Sequence, residues 1–566
     1  MENVWIIQQS PLKDIERLSQ DIGVSHVIAG ILWRRNLRTL ESAKAFFNPD
    51  FTQLKDPFLM KGMDVAVEEI SKRIDEKRPI LVYGDYDVDG TTAATTLVLY
   101  IRKIGGIADY YIPDRDKEGY GISHQGIEYA KIHGMDLIIT CDCGITAIEQ
   151  TDYAHSLNID MIITDHHIPS DTLPAAKTIL DPKQDGCLYP DKNLSGVGVA
   201  FKLTQALSLK YNRPKTEVFQ NIDLVAVGTA ADLVPTIGEN RVFLHEGLKR
   251  LSEKGNIGLR AIAKVAGIKK EEFNTADIVF QIAPRINAVG RLGEATRAVK
   301  IMTSQNPIEA MELARVMNTE NENRKVIESG IVEEAILAAN AKYNPREKHG
   351  LVLAQENWHH GVIGIVASKL KERFMVPIVM IAINDGIGKA SARSLEGFDM
   401  YEALSKCSDL LESFGGHVMA AGLTIKQENI PAFEARFLEI CQNEINEELM
   451  RRKIKIEDDL NFSDIDRQLI QTLKRLAPFG VDNMRPIFSS RNLRPVGNPR
   501  IVGVHHLKFK VRQERVSIDA IGFNLAHHYE NLISNKPIDL AYVISENEWQ
   551  GKRTLQLEIK DIRMSQ

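Results

Sequence analysis

The sequence predicts an α/β protein in which a parallel-sheet lobe is joined by a long helix to a smaller α/β lobe, with a small β-barrel after it. Three observations carry that prediction. From residue 80 short β-branched runs alternate with helical stretches, a second alternation of the same kind begins at GLVLAQ, and after about residue 450 short strands separated by turn residues dominate. Apolar strands alternating with helices of ~10–15 residues indicate a parallel sheet covered by helices.

Each element follows in order. The first 50 residues read as a helical segment. The first lobe runs PILVYGD, TTAATTLVLYIRKIG, IADYYIP, a helix around Gly126 to His133, DLIITCD, a helix from about Thr146, and IDMIITDHH. After about residue 192 the pattern becomes mainly helical, and a long polar-faced helix spans roughly Pro307 to Lys342, broken at Asn344-Pro345 as a connector should be. The second lobe comprises GLVLAQ, GVIGIVASKLKERF, PIVMIAI, KASARS and a helix ending near FGGH. HHLKFKVRQ, VSIDAIGFN, IDLAYVIS and RTLQLEIKDI then fit a small barrel such as an OB-fold.

At 566 residues the chain needs several domains of ~100–200 residues. With 44% hydrophobic and 26% charged residues it has the balance of a soluble globular protein, and no apolar run approaches the ~18–20 residues that cross a bilayer. MENVWIIQQSPLKDIERL lacks a basic segment followed by an apolar one, so no secretory signal is read and a cytoplasmic location is expected. Five cysteines cannot make a disulfide framework, and Cys141 and Cys143, a C-x-C without a second pair, are read as packing around Asp142. A net charge of −6 argues against coating nucleic acid through bulk positive charge, but leaves room for a local basic groove.

VYGDYDVDG places Asp85, Asp87 and Asp89 within five residues at the end of a strand, where their charges repel unless a cation compensates them. The segment opens like a calcium-binding EF-hand loop, but Thr96 stands where the bidentate Glu is needed and a strand precedes it instead of a helix. Asp142 ends the strand LIITCD, the triplet Asp165-His166-His167 ends MIITDHH, and Asp232 follows a helical stretch in VGTAAD. Open α/β sheets bind ligands at these strand ends. Carboxylates with an imidazole favour Mn²⁺ or Mg²⁺, the imidazole tilting the choice towards Mn²⁺.

The set DYDVDG, CDCG, DHH and GTAAD, in this order, resembles the four motifs of the DHH phosphoesterase superfamily, whose members hold two metals between this lobe and a smaller one. The resemblance implies metal ligands at Asp85 or Asp87, Asp89, Asp142, His166 and Asp232, with Asp142 bridging. It places Asp87, Asp142, His166 and His167 in the catalytic set, His167 contacting the scissile phosphate. The superfamily often has His where this chain has Tyr83, so Asp85 is expected to supply that ligand. Two cations ~3.5–4 Å apart would activate a water for in-line displacement, with no covalent enzyme intermediate.

FGGHVMAAG is similar to the GGH-x-x-A-A-G motif of the DHHA1 lobe, in which Gly415 and Gly416 let backbone N–H groups approach a phosphate and His417 adds a donor. YIPDRDKEGYG with Arg115, APRINAVGRLG with Arg285 and Arg291, KASARS with Ser391 and Arg393, and WHHGVIGIVASKL resemble the RecJ branch of that superfamily from about residue 25 onward. Arg115, Ser391 and Arg393 are read as a pocket for a terminal 5′ phosphate, and Arg291 lies nearer the scissile group. In HHLKFKVRQERV, Lys508, Lys510, Arg512 and Arg515 with Phe509 between them suit a surface that tracks a sugar–phosphate backbone while bases stack.

The implied organisation is an N-terminal helical segment (1–50), a DHH catalytic domain (51–305), a connector helix (306–345), a DHHA1 domain (346–450) and an OB-fold domain (451–566). The implied function is a two-metal, single-stranded-DNA-specific 5′→3′ exonuclease of repair and recombination, monomeric, assisted by a helicase and a single-strand-binding protein. A phosphodiesterase of the same superfamily acting on short oligonucleotides or cyclic dinucleotides would not need the barrel. A Cdc45-like non-catalytic scaffold should have lost ligands, and every candidate is present.

Overall fold

Five parallel strands form the first sheet, in the spatial order Ile107–Tyr111, Pro79–Gly84, Leu137–Cys141, Asp160–Thr164, Thr178–Leu180. The computed structural model describes residues 3–8, 11–115, 117–119, 121–292, 294–342, 344, 349–534, 536–549 and 552–565. The central strands are largely apolar because helices bury both faces. Ile80, Val82, Leu137, Ile139 and Ile162 pack on one side with helices Met63–Asp75, Val88–Lys103 and Gly196–Lys210. Leu81, Tyr83, Ile138 and Met161 pack on the other with helices His124–Ile132 and Ile148–Ser156. Cys141 and Cys143 are free, buried, and divided between these two cores, as their reading as packing residues requires.

The register of this sheet positions the site. Gly84 pairs with Cys141, Cys141 with Thr164, and Thr164 with Leu180. The next residue of each strand therefore shares one row, and in all four it is an aspartate: Asp85, Asp142, Asp165 and Asp181. Backbone bonds extend the ladder into that row, from Asp85 N–H to the Cys141 carbonyl, Asp142 N–H to Thr164 and Asp165 N–H to Leu180.

The connector helix is Pro307–Lys342, and Pro345, the expected breaker, lies outside the described residues. By compactness the chain divides into one unit of Met1–Trp5, Arg291–Gly293 and Thr319–Ile454 and a second of the remaining residues. The first holds a mixed sheet in the order Ser413–His417, Ala420–Lys426, Ile387–Arg393, Ile378–Asn384, Leu351–Glu356, antiparallel except for the last pair. The FGGH segment is thus an edge strand and not a helix end. The helix before it, Met400–Ser405, stops early, and Phe414 to Gly416 pair with Leu423 to Ala421. No helix among the described residues is long and apolar enough to cross a membrane.

The barrel strands neighbour one another in the order Phe488–Val502, His506–Gln513, Val516–Gly522, Lys552–Met564, Ile538–Trp549, and the last pairs back onto the first. That closed five-stranded ring is an OB fold. The N-terminal helices Leu12–Ile22, His26–Arg34 and Leu40–Phe47 pack on it: Ile15, Leu18, Ile31, Leu32 and Phe46 share a core with Leu469, Leu473, Phe488 and Leu540.

One buried cation ties this assembly to the first lobe. The Arg241 guanidinium lies 3.6 Å from the centroid of the Phe46 ring and donates to three backbone carbonyls, Phe46 at 2.9 Å, Ala477 at 2.8 Å and Pro478 at 3.2 Å. Burial, with the nearby charge of Arg35, draws its pKa down to about 9. Arg241→Met should strand those acceptors and cost about 3–5 kcal/mol. Urea unfolding of the variant is the check, together with limited proteolysis in which residues 12–47 are released first.

Candidate metal centre and nucleic-acid surface

Asp142 stands at the centre of the aspartate row with φ 63°, a left-handed turn that aspartate tolerates better than most residues and that ends the strand abruptly. Its Oδ1 is 3.1 Å from His166 Nε2, and the same nitrogen is 3.5 Å from Asp232 Oδ2. Three groups of ligand atoms, each mutually within 4.8 Å, meet here: Asp85, Asp87 and Asp142; Asp142, His166 and His167; Asp89, His166 and Asp232. All six residues expected as metal ligands fall into these groups.

Neighbouring elements hold the cluster in place. Asp87 caps helix Val88–Lys103, its Oδ1 accepting from Gly90 N–H. Both Asp89 oxygens accept from the start of helix Gly196–Lys210, from Gly196 N–H at 2.6 Å and Val197 N–H at 2.9 Å. That helix end approaches so closely that a Cβ on Gly196 would lie 2.6 Å from the Asp142 side chain, and one on Gly228 2.7 Å from Asp89 Oδ1. Asp232 is the C-cap of helix Ile222–Ala231. Tyr83 points into the opposite core, its hydroxyl donating to the Gly121 carbonyl and accepting from Ser123 N–H, so it offers nothing to the site.

Asp165 organises the DHH turn. One of its oxygens accepts from the His166 and His167 backbone N–H groups and pairs with His167 Nδ1 at 2.6 Å, and the other accepts from Ile145 N–H. Although burial opposes both charges, this contact holds the Asp165 carboxyl below, and the His167 imidazole above, its ordinary range. His166 is different: burial and the neighbouring His167 charge press its pKa down to about 3, leaving a neutral ring with a lone pair.

The cluster is strongly perturbed in a way that a cation would relieve. Burial and then the Asp87 charge push the carboxyl of Asp85 upward; burial and the charges of Asp89, Asp87, Asp232 and Asp85 do the same to Asp142. Burial and Asp87 raise Asp232 to about 7. Asp85 Oδ1, Asp142 Oδ1, Asp232 Oδ2 and both His166 ring nitrogens are buried without a hydrogen-bond partner. Carboxylate oxygens with one neutral imidazole fit divalent cations of the Mn²⁺ or Mg²⁺ kind.

Two residues beside the cluster escaped the sequence reading. Asp181, fully buried, accepts from Lys183 N–H through Oδ1, and burial raises its pKa to about 7. The Lys183 ammonium donates to the His166 carbonyl. Their signal was present, since TIL followed by Asp181 repeats the pattern of the other strand ends.

The predicted phosphate contacts separate into several places. Arg115 sits over the Tyr86 ring, 5.4 Å from its centroid, and its charge reaches Asp85. Arg393 Nη1 donates to Ser391 Oγ at 3.0 Å and its Nε to Ser368 Oγ at 3.2 Å. Ser391 pairs with Gly422 and Arg393 with Ala420, next to the edge strand that carries Gly416 and His417. Arg291 donates to the Gly361 carbonyl. Arg285 is buried and bonds Asn318 Oδ1 and the Gln281 carbonyl, the bonding of a helix brace.

On the barrel, strand alternation turns Lys508, Lys510 and Arg512 outward and Phe509 and Val511 inward. Phe509 is 5% exposed, so bases cannot stack on it; period-2 geometry overturns that expectation. The outward face instead gathers Arg500 opposite Lys508 and Arg494 opposite Arg512. Its exposed ring is Phe523, edge-on to His506 at 5.3 Å.

A parallel sheet whose strand ends gather these aspartates and a DHH turn defines a protein of the DHH phosphoesterase class. Residues 79–229 match the N-terminal domain of the DHH family, 347–443 the DHHA1 domain and 456–561 the RecJ OB domain. The single-stranded-DNA-specific exonuclease RecJ of Bacillus subtilis is 38% identical over 99% of this chain and 71% of its own length. That of Escherichia coli is 34% identical over 89% and 90%. The structure of RecJ in complex with Mn²⁺ from Thermus thermophilus superposes with a TM-score of 0.86 at 28% identity, covering all of this chain and 80% of that one. The chain belongs to the RecJ family.

The upward shifts carry a sign that can be measured. Without metal the folded cluster holds protons that the unfolded chain has released, so stability is lost as pH rises through about 7, where Asp232 ionises. The downward shift of His166 acts on the acid side of its ordinary range, so above pH 6.5 only the upward shift of His167 counts, and it adds to the same loss. Chelator-treated protein should therefore melt at a lower temperature at pH 8 than at pH 6.5, and Mn²⁺ should raise the midpoint more at pH 8. Asp142→Asn should raise the metal-free midpoint and shrink the Mn²⁺ response. Scanning calorimetry at both pH values decides.

Proposed function

We propose that this chain is a single-stranded-DNA-specific exonuclease working 5′→3′ and releasing 5′-mononucleotides. The observation that carries the reading is the set of buried, unpartnered oxygens and imidazole nitrogens at the ends of adjacent strands, together with an outward basic face on the barrel. When bound by Asp85, Asp87, Asp89, Asp142, His166 and Asp232, two Mn²⁺ or Mg²⁺ ions supply the charge that activates water and stabilises the leaving oxygen. His166 would contribute a neutral nitrogen, and Asp142, which belongs to two of the three ligand groups, would serve both ions. His167, whose pKa the Asp165 contact raises, faces the charge that grows on the scissile phosphate. The relatives' names and the Mn²⁺ in the Thermus thermophilus structure support the same substrate and metal.

In this reading Arg115, Ser391 and Arg393 take the terminal 5′ phosphate, and the Arg393–Ser391 hydrogen bond preorganises that pair. Gly416 and His417 add a backbone and a ring donor, while Arg291 orients the strand. Lys508 and Lys510 follow the backbone further along. A monomer suffices, acting in the cytoplasm in repair and recombination on strands exposed by a helicase and covered by a single-strand-binding protein.

The direct test uses purified protein, Mn²⁺ and end-labelled oligonucleotides. Single strands should shorten from the 5′ end and blunt duplexes should resist. Asp142→Ala should lose all but a trace of hydrolysis while still binding DNA. Arg393→Ala should slow cleavage of 5′-phosphorylated substrate by ~10–100-fold, about 1.4–2.8 kcal/mol, with little effect on a 5′-hydroxyl substrate. Shortening from the 3′ end would defeat both the pocket and the direction.

A further inference from the structure

Leu233 follows the ligand candidate Asp232 directly and occupies the left-handed region at φ 60°. This is the first position past the end of helix Ile222–Ala231 and its cap, where glycine is the unstrained choice. A leucine there is uncommon, since a side chain makes the left-handed conformation costlier than it is for glycine. Packing does not require it, because Leu233 is 59% exposed. A second aliphatic side chain stands in the matching place on the other ligand-bearing turn: Ile168, directly after His167, is 68% exposed. The turns meet at the cluster, where His166 Nε2 and Asp232 Oδ2 are 3.5 Å apart. The cluster itself is built of carboxylates and imidazoles, so two exposed aliphatic side chains directly after it in the chain stand out.

We infer that Leu233, together with Ile168, is the contact for the nucleobase of the nucleotide whose phosphodiester lies at the cluster. The inference rests on the nuclease reading above and names how that site holds its substrate. A base hangs one sugar away from its phosphate, which is the reach from the ligand atoms to side chains one residue along the chain. Every base has an apolar face, and an aliphatic side chain offers it no donor or acceptor. The contact therefore adds affinity without selecting sequence, as an enzyme that consumes a strand of any composition needs. It holds ground state and transition state alike, so its loss should appear in KM and not in kcat.

The experiment compares wild type with Leu233→Gly, Leu233→Ala and Leu233→Met, in Mn²⁺, on a single-stranded oligonucleotide and on one of the same length built from abasic nucleotides. Leu233→Gly relieves the left-handed strain, so its thermal midpoint should stay level or rise while KM on normal DNA increases about five- to tenfold and kcat stays within about twofold. Leu233→Ala should show the same KM defect and Leu233→Met should restore it. On the abasic strand wild type and Leu233→Ala should converge. An unchanged KM in the glycine variant, an equal gap on the abasic strand, or a fall in kcat with the thermal midpoint would each overturn the base contact, the last in favour of a purely structural leucine. Failure of wild type to degrade the normal strand would instead sink the nuclease reading.

Discussion

Several carboxylates crowd into one buried place, and the first lobe is arranged around the electrostatic consequence. Asp85, Asp89 and Asp142 are each at most 3% exposed, and Asp232 faces the same point from a helix end. Burial alone disfavours their charges, and their mutual repulsion disfavours them further. The fold offsets part of that cost with fixed dipoles. The start of helix Gly196–Lys210 holds both oxygens of Asp89, and the turn after Asp165 holds its carboxylate through backbone N–H groups. What remains uncompensated are the oxygens and ring nitrogens that point at one another, and that remainder is the metal-binding capacity of the site.

A parallel sheet suits this purpose because its strands end on the same side, so one register row can carry an aspartate from every strand. The price of the arrangement is close packing: helices must approach the row with glycine at the contact, as at Gly196 and Gly228. The two histidines of the turn show how far environment governs chemistry. They are adjacent in sequence, yet burial lowers the pKa of one while the Asp165 contact raises that of the other.

The barrel serves differently. Its interior is closed by the hydrophobic residues of its own strands and by the N-terminal helices, which leaves its outward face to Arg494, Arg500, Lys508 and Arg512. An overall charge of −6 is therefore compatible with nucleic-acid binding, since a local group of basic residues shares one strand face.

The sequence by itself determined the alternation of strands and helices, the bounds of helix Pro307–Lys342, and the acidic motifs at strand ends, because these are local patterns of period and charge that survive in one dimension. The ligand candidates were legible because DYDVDG, CDCG, DHH and GTAAD, in that order, resemble the motifs of a known superfamily. Tertiary structure alone decided what depends on direction and on distant partners. Strand phase sent Phe509 inward and left Phe523 exposed, sheet register added Asp181 to the row, and a helix partner at Asn318 absorbed Arg285. Nothing near Arg241 in sequence marks it as the cation that binds Phe46, Ala477 and Pro478, residues some two hundred positions away on either side. The strain at Leu233 was equally invisible, since a backbone angle is fixed by the packing of the helix before it and of the turn after it.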